Sequence, residues 1–178
     1  MSKARLIEIL KERSVRRERF RLASGKESDF YVDARQTTLH PEGAFVVASM
    51  ILERLRPEVK AVGGPVTGAD PIAGAVAAIG FTKGRAVQGF MVRKALKDHG
   101  TGQWIEGRGG LANGDPVCVV EDTVTSGGSV LEAIRTIERE GLRVVQCLCV
   151  VDRGEGAVER FREAGYTLES LVQRADLE

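Results

Sequence analysis

The sequence predicts an α/β protein, a mostly parallel central sheet flanked by helices on both faces. Short apolar runs at residues 61–64, 117–120 and 144–151 alternate with stretches of helical periodicity. Runs that are apolar along nearly their whole length suit strands covered on both sides, which is how parallel sheets are built. Residues 117–151 also have the size of a strand–helix–strand unit, whose crossover joins parallel neighbours.

Residues 4–11 place Leu6, Ile7, Ile9 and Leu10 among charges, the pattern of an amphipathic helix. Two short extended segments are expected at 20–22 and 30–32, separated by the turn-like Ser24-Gly25-Lys26-Glu27-Ser28. A second helix is expected from Pro41 to Arg56, with Pro41 near its start and Pro57 just past its end. Residues 61–64 form a short strand running into a Gly/Pro/Thr loop, and 71–79 a small-residue helix ended by Gly80. Residues 85–92 read as a strand. The stretch from Lys94 to Gln103 is polar and carries Gly100 and Gly102, so a mobile loop is expected. A strand resumes at 104–106, and Asn113-Gly114-Asp115-Pro116 is a turn. A strand at 117–120, a helix at 129–140 and a strand at 144–151 follow. A helix at 157–164, capped by Gly165, precedes a last strand or short turn at 166–171. No repeat, low-complexity tract or linker interrupts the pattern, so one domain over residues 1–178 is expected.

Composition excludes several classes. With 43% hydrophobic and 29% charged residues, the chain is neither disordered nor fibrous. A net charge of +1 gives no global attraction to nucleic acid, and no apolar run is long enough to span a bilayer. No basic-apolar leader is visible, and Cys118, Cys147 and Cys149 lie in strand-like runs, so reduced core thiols in a cytoplasmic protein are expected. The spacing of Cys147 and Cys149, with no second Cys or His cluster nearby, speaks against a metal site.

The segment with most chemistry follows the strand at 117–120. Glu121 and Asp122 come first, then Thr123-Val124-Thr125-Ser126-Gly127-Gly128-Ser129 and a helix. In a parallel sheet, ligands gather at the carboxyl ends of strands, where these acids are expected. Ionised carboxylates only accept hydrogen bonds, which suits sugar hydroxyls or a hydrated cation. Glycines let backbone N–H groups close around a phosphate, and the helix start adds partial positive charge. A ribose 5-phosphate fits: its diol on the acids and its phosphate on the turn. The ordinary alternative makes Ser129 a helix N-cap in a tight connection. No GxxxxGK[ST] loop is present, and Gly154-Glu155-Gly156 lacks the third glycine of a dinucleotide fingerprint.

Residues 119–130 resemble the phosphoribosyl pyrophosphate (PRPP) motif of type I phosphoribosyltransferases. The resemblance implies that family's fold, with a small N-terminal hood at about 1–40 and a core at about 41–178. It also implies PRPP binding by Glu121, Asp122, Thr123, Val124, Thr125, Ser126, Gly127, Gly128 and Ser129. The motif leaves the base open and also occurs in PRPP-sensing regulators.

Arg93-Lys94-Ala95-Leu96-Lys97-Asp98-His99-Gly100 concentrates cations where fixed positive charge could meet a departing diphosphate and a closing loop could exclude water. By itself such a run is most often a solvated loop. Its order resembles the catalytic loop of orotate phosphoribosyltransferases. That likeness implies that Arg93, Lys94, Lys97 and His99 contact pyrophosphate, that Lys97, Asp98, His99 and Arg93 are catalytic, and that a homodimer shares its active sites.

Three further stretches resemble the same family. Residues 24–35 look like its SGxxSxxYxDxR segment, which implies Phe30 and Tyr31 beside the pyrimidine; Ala23 stands where many members carry Lys or Thr. Residues 63–71 resemble its pyrophosphate loop, with Thr67 where some members carry Lys, and Asp70 has an ordinary reading as a helix cap. Arg153 matches the arginine that faces orotate's carboxylate, and Thr125 is a further implied orotate contact; the ordinary reading of Arg153 is a surface pair with Asp152. The resemblance implies transfer of phosphoribose from PRPP to orotate, giving orotidine 5′-monophosphate and pyrophosphate in UMP biosynthesis. Mg2+ would be held mainly by substrate oxygens, with no direct side-chain ligand. A phosphoribosyltransferase for another base, or a regulator, is the alternative. The cationic loop and the lack of a helix-turn-helix or basic arm weigh against the regulator.

Overall fold

The computed structural model describes residues 2–17, 20–21, 27–28, 30–95 and 103–178. Helix α1 (Lys3–Arg13) starts where the Ser2 hydroxyl accepts the Arg5 N–H at 3.3 Å, and it buries Leu6, Ile9 and Leu10. Two small hairpin pairings follow. Strand β1 (Val15–Arg16) pairs antiparallel with β4 (Tyr31–Val32), and β2 (Phe20–Arg21) with β3 (Glu27–Ser28). A short helix α2 (Arg35–Thr38) leads to α3 (Pro41–Arg54).

The central sheet has the order β10-β9-β8-β5-β6-β7. Its members are β5 (Ala61–Pro65), β6 (Gln88–Val92), β7 (Ile105–Glu106), β8 (Pro116–Val124), β9 (Arg143–Asp152) and β10 (Leu168–Gln173). Every pairing is parallel except β6 with β7, at the edge. The connecting helices are α4 (Ala69–Thr82), α5 (Gly128–Arg139) and α6 (Ala157–Glu163), and a short α7 (Arg174–Leu177) follows β10.

Two cores form on opposite faces because strand side chains alternate. Cys118 and Val120 of β8 and Leu148 and Val150 of β9 pack with α1, α3 and α4. Val117, Val119, Cys147 and Cys149 pack with α5 and α6. Helix α5 turns Val130, Leu131, Ile134 and Ile137 inward, the spacing of one helical face. The three cysteines are buried and free. No helix among the described residues is long and apolar enough to cross a membrane.

Several boundaries differ from those the sequence suggests. Helix α3 stops at Arg54 and Leu55 is already extended, whereas Pro57 would bar helical backbone only from Arg56. Helix α4 begins at Ala69 rather than Pro71, since proline is tolerated in a first turn. Strand β8 continues to Val124, because β9 pairs with it that far: Glu121 lies opposite Cys149 and Val124 opposite Asp152. The acids therefore belong to the strand itself. The open choice at 166–171 resolves as a parallel strand on β9, and α7 was not foreseen.

Candidate active site

Strands β8 and β5 are adjacent, yet their following helices take opposite faces. Helix α4 packs with α1 and α3 through Ala69, Ile72 and Val76, whereas α5 joins the other core. The carboxyl ends of the two strands consequently part, and a crevice opens at the switch in strand order, the usual ligand position in such sheets. A cleft of about 330 Å³ occupies it.

Its floor is acidic. Glu121 is 8% exposed, and Asp122 and Thr123 are half-buried. The Asp122 N–H donates to Glu121 Oε1 at 3.1 Å, and the Thr123 N–H donates to Asp122 Oδ1 at 2.6 Å. Burial, then the Asp122 charge, push the Glu121 carboxyl far above the usual carboxylate range. Burial raises Asp122 as well, while the Thr123 N–H, the Glu121 carboxyl and the Arg35 charge pull it down. Both acids are raised, so near neutral pH the pair holds a proton between them, leaving one donor beside one ionised acceptor.

The wall opposite is the loop after β5, where the Val66–Thr67 peptide is cis. A Cβ on Gly68 would collide with Glu121 Oε1 and Asp122 Oδ1, so this backbone can approach the two acids only as glycine. Asp70 does not cap α4. Gly68 is the N-cap, and Asp70 sits in the first turn with Oδ1 buried and unpartnered among the described residues; burial raises its acid.

The turn after β8 reaches α5 through Gly127, which is the N-cap in place of Ser129. Thr125 and Ser129 line the cleft, Thr123 Oγ1 is buried without a partner among the described residues, Val124 is buried, and Ser126 is exposed. Gly127 and Gly128 shape the turn, and a Cβ on Gly128 would lie 3.5 Å from the Arg160 guanidinium. Arg153 is joined to this end of the sheet by its N–H to the Val124 carbonyl at 3.0 Å. Its side chain lines the cleft at 10% exposure, with Nη2 3.0 Å from Glu155 Oε1 and Nε buried and unpartnered among the described residues. It makes no pair with Asp152, whose Oδ1 accepts the Gly154 N–H at 2.9 Å.

Lys94 reaches the cleft as well. Arg93 does not; it lines a neighbouring hollow with Trp104, and its Nη1 is 3.1 Å from Glu106 Oε1. Lys97, Asp98 and His99 lie outside the described residues. Tyr31 lines the cleft, but Phe30 does not, because adjacent residues of an extended segment face opposite ways. Phe30 is 4% exposed within the core, with the Arg174 guanidinium 5.0 Å from its ring centroid.

Residues 35–164 match the family model of the phosphoribosyl transferase domain. The chain is 41% identical over 174 residues to the orotate phosphoribosyltransferase of Sorangium cellulosum, covering 97% of this chain and 91% of that one. It is 42% identical over 178 residues to that of Bradyrhizobium diazoefficiens, covering 98% and 95%. The chain belongs to the orotate phosphoribosyltransferase family.

A solved family member, the Mycobacterium tuberculosis enzyme in complex with PRPP, superposes with a TM-score of 0.81 at 36% identity, covering 98% of each chain. The parallel sheet flanked by helices is thus the type I phosphoribosyltransferase fold. Within this family framework, the cleft brings together Tyr31, Lys94, Glu121, Asp122, Thr123, Thr125, Ser129 and Arg153 from distant parts of the chain. Asp33 and Arg35 also line it, although sequence reasoning assigned them no role. The one signal for them was an acid and a base two residues apart inside the SGxxSxxYxDxR likeness.

Proposed function

We propose that the chain transfers the 5-phosphoribosyl group of PRPP to orotate, giving orotidine 5′-monophosphate and pyrophosphate in UMP biosynthesis. The observation that carries this reading is one cleft holding the Glu121–Asp122 pair, the phosphate turn and the buried guanidinium of Arg153. The 5′-phosphate sits on residues 123–129, where turn N–H groups and the start of α5 favour an anion. Asp122 accepts from a ribose hydroxyl and Glu121 donates, so the acids grip the diol without two adjacent negative charges. The diphosphate extends toward the loop at 66–68 and toward Arg93, Lys94, Lys97 and His99.

Orotate sits with its carboxylate on Arg153 and its ring beside Tyr31 and Thr125. Its deprotonated ring nitrogen attacks the anomeric carbon; the new C–N bond forms as the C–O bond to diphosphate breaks, and pyrophosphate leaves with that electron pair. Positive charge grows on the ribose, and negative charge on the departing phosphates, so fixed cations around the latter lower the barrier. Asp98 positions the loop that carries them.

No group of three or more His, Cys, Asp or Glu among the described residues is arranged to hold a metal ion. The ionised acceptor of the floor fits a cation carried in by the substrate's own oxygens, and Asp122 would reach it through water. Mg2+ bound in this way would neutralise diphosphate charge. We place the protein in the cytoplasm, in keeping with its three free buried cysteines, and as a homodimer with shared sites, in keeping with the family loop. The test is direct: incubate the protein with Mg2+, PRPP and orotate, then follow loss of orotate and formation of nucleotide. Turnover with another base and none with orotate would sink the reading.

A further inference from the structure

Asp33 follows β4, Arg35 opens α2, and the reaction described above uses neither. Asp33 Oδ1 accepts from Arg35 Nε at 2.9 Å and from the Arg35 N–H at 3.3 Å, while Oδ2 accepts from Gln36 Nε2 at 3.3 Å. Burial works to raise the Asp33 acid, but the bonds from Arg35 and Gln36 outweigh it and keep the carboxylate ionised. The guanidinium is thus held by its Nε edge. Its two Nη groups have no protein partner among the described residues, and the side chain, 46% exposed, lines the cleft. Arg35 and Asp122 line the same cleft, and their charges act on each other.

An arginine gripped along one edge presents its remaining N–H donors as a fixed planar fork, the geometry that matches a phosphate or a carboxylate. Ordinary surface arginines lack that restraint, and a purely structural Asp33–Arg35 pair would not need to line the ligand cleft. We propose that Arg35 is a further substrate-binding residue, contacting an oxyanion of the bound substrate through its Nη edge, with Asp33 as its positioning residue. This rests on the assignment of PRPP and orotate above. Both offer the chemistry: PRPP through its diphosphate and orotate through its carboxylate.

Calorimetric titration of the full chain separates the two sources. One arm titrates PRPP with Mg2+; the other titrates orotate in the presence of Mg2+ and pyrophosphate. Arg35→Gln is expected to weaken binding in one arm by roughly 10- to 100-fold, the range for hydrogen bonds to a charged group. Arg35→Lys should recover only part of it, because a point charge lacks the fork. Asp33→Asn should produce a smaller loss in the same arm. A loss confined to PRPP assigns the diphosphate, and one confined to orotate assigns the carboxylate. Unchanged affinity in both arms for Arg35→Gln overturns the proposal. So does weakening in both arms that tracks a lowered melting temperature, since that marks a structural role. If the unaltered chain binds PRPP but not orotate, the assignment of the base fails, while the PRPP arm still decides Arg35.

Discussion

Gly127 packs its bare Cα against the ring of Phe161. Its φ is 76°, and a Cβ there would lie 2.7 Å from Phe161 Cε2. Helix α6 is therefore seated on the phosphate turn, and the shape of the turn is held by core packing. Gly127→Ala is expected to destabilise the protein by about 2–4 kcal/mol, from left-handed backbone strain plus overpacking, and to weaken PRPP binding. Adding Phe161→Leu should recover the overpacking part and leave the backbone part. Urea denaturation of the single and double variants checks both.

Glu121 makes stability depend on pH. Its acid is raised from 4.5 to about 8 in the folded chain, chiefly by burial and then by Asp122. The folded state then holds a proton that the unfolded state releases, so the stabilisation is complete below the unfolded value and lost as pH rises toward 8. Unfolding free energy should fall across that window by at most about 1.4 kcal/mol per pH unit from this group. In Glu121→Gln the fall should be smaller, with the part from the also-raised Asp122 and Asp70 remaining. Denaturation curves at several pH values without ligand decide it; parallel pH profiles for the two proteins would count against the raised acid.

Arg153 is held by Glu155, and its Nε is buried and unpartnered among the described residues. Arg153→Ala should raise KM for orotate by roughly 10- to 100-fold, while the dissociation constant for PRPP is preserved. Glu155→Gln should change KM by no more than about fivefold, since Glu155 is partly exposed and such pairs contribute little. Steady-state kinetics with each substrate varied in turn separates the effects.

Phe30 and Tyr31 should behave oppositely despite being neighbours. Phe30→Ala removes a core side chain and is expected to cost about 3–5 kcal/mol. Tyr31→Ala should cost less stability than Phe30→Ala and raise KM for orotate. Thermal melts paired with kinetics test the contrast.

On the proposed mechanism, Lys97→Ala should lower kcat by about 10²–10³, the effect of losing a cation that stabilises the departing diphosphate. The melting temperature should hold. An unchanged kcat at saturating substrate would remove Lys97 from the mechanism.

The order of strands and helices was legible because apolar periodicity is local. Residues 117–120 could only be a buried strand, and the spacing of Val130, Leu131, Ile134 and Ile137 could only bury one face of a helix. Boundaries were less so. Nothing local told that β9 would carry β8 past Val120 to Val124, since that depends on a strand partner distant in sequence. Asp70 read as a cap because capping residues often precede helices, yet the backbone of Gly68 took that place.

By itself, the sequence marked the acid–hydroxyl–glycine stretch at 121–129 and the cationic run at 93–100, because such motifs depend on residue type and short-range spacing. Only the tertiary structure decided that Glu121 is buried beneath Gly68, that Phe30 turns to the core while Tyr31 meets the cleft, and that Arg35 stands near Asp122. Burial, facing and protonation are set by what remote segments pack against a residue, and those segments meet only where β5 and β8 part.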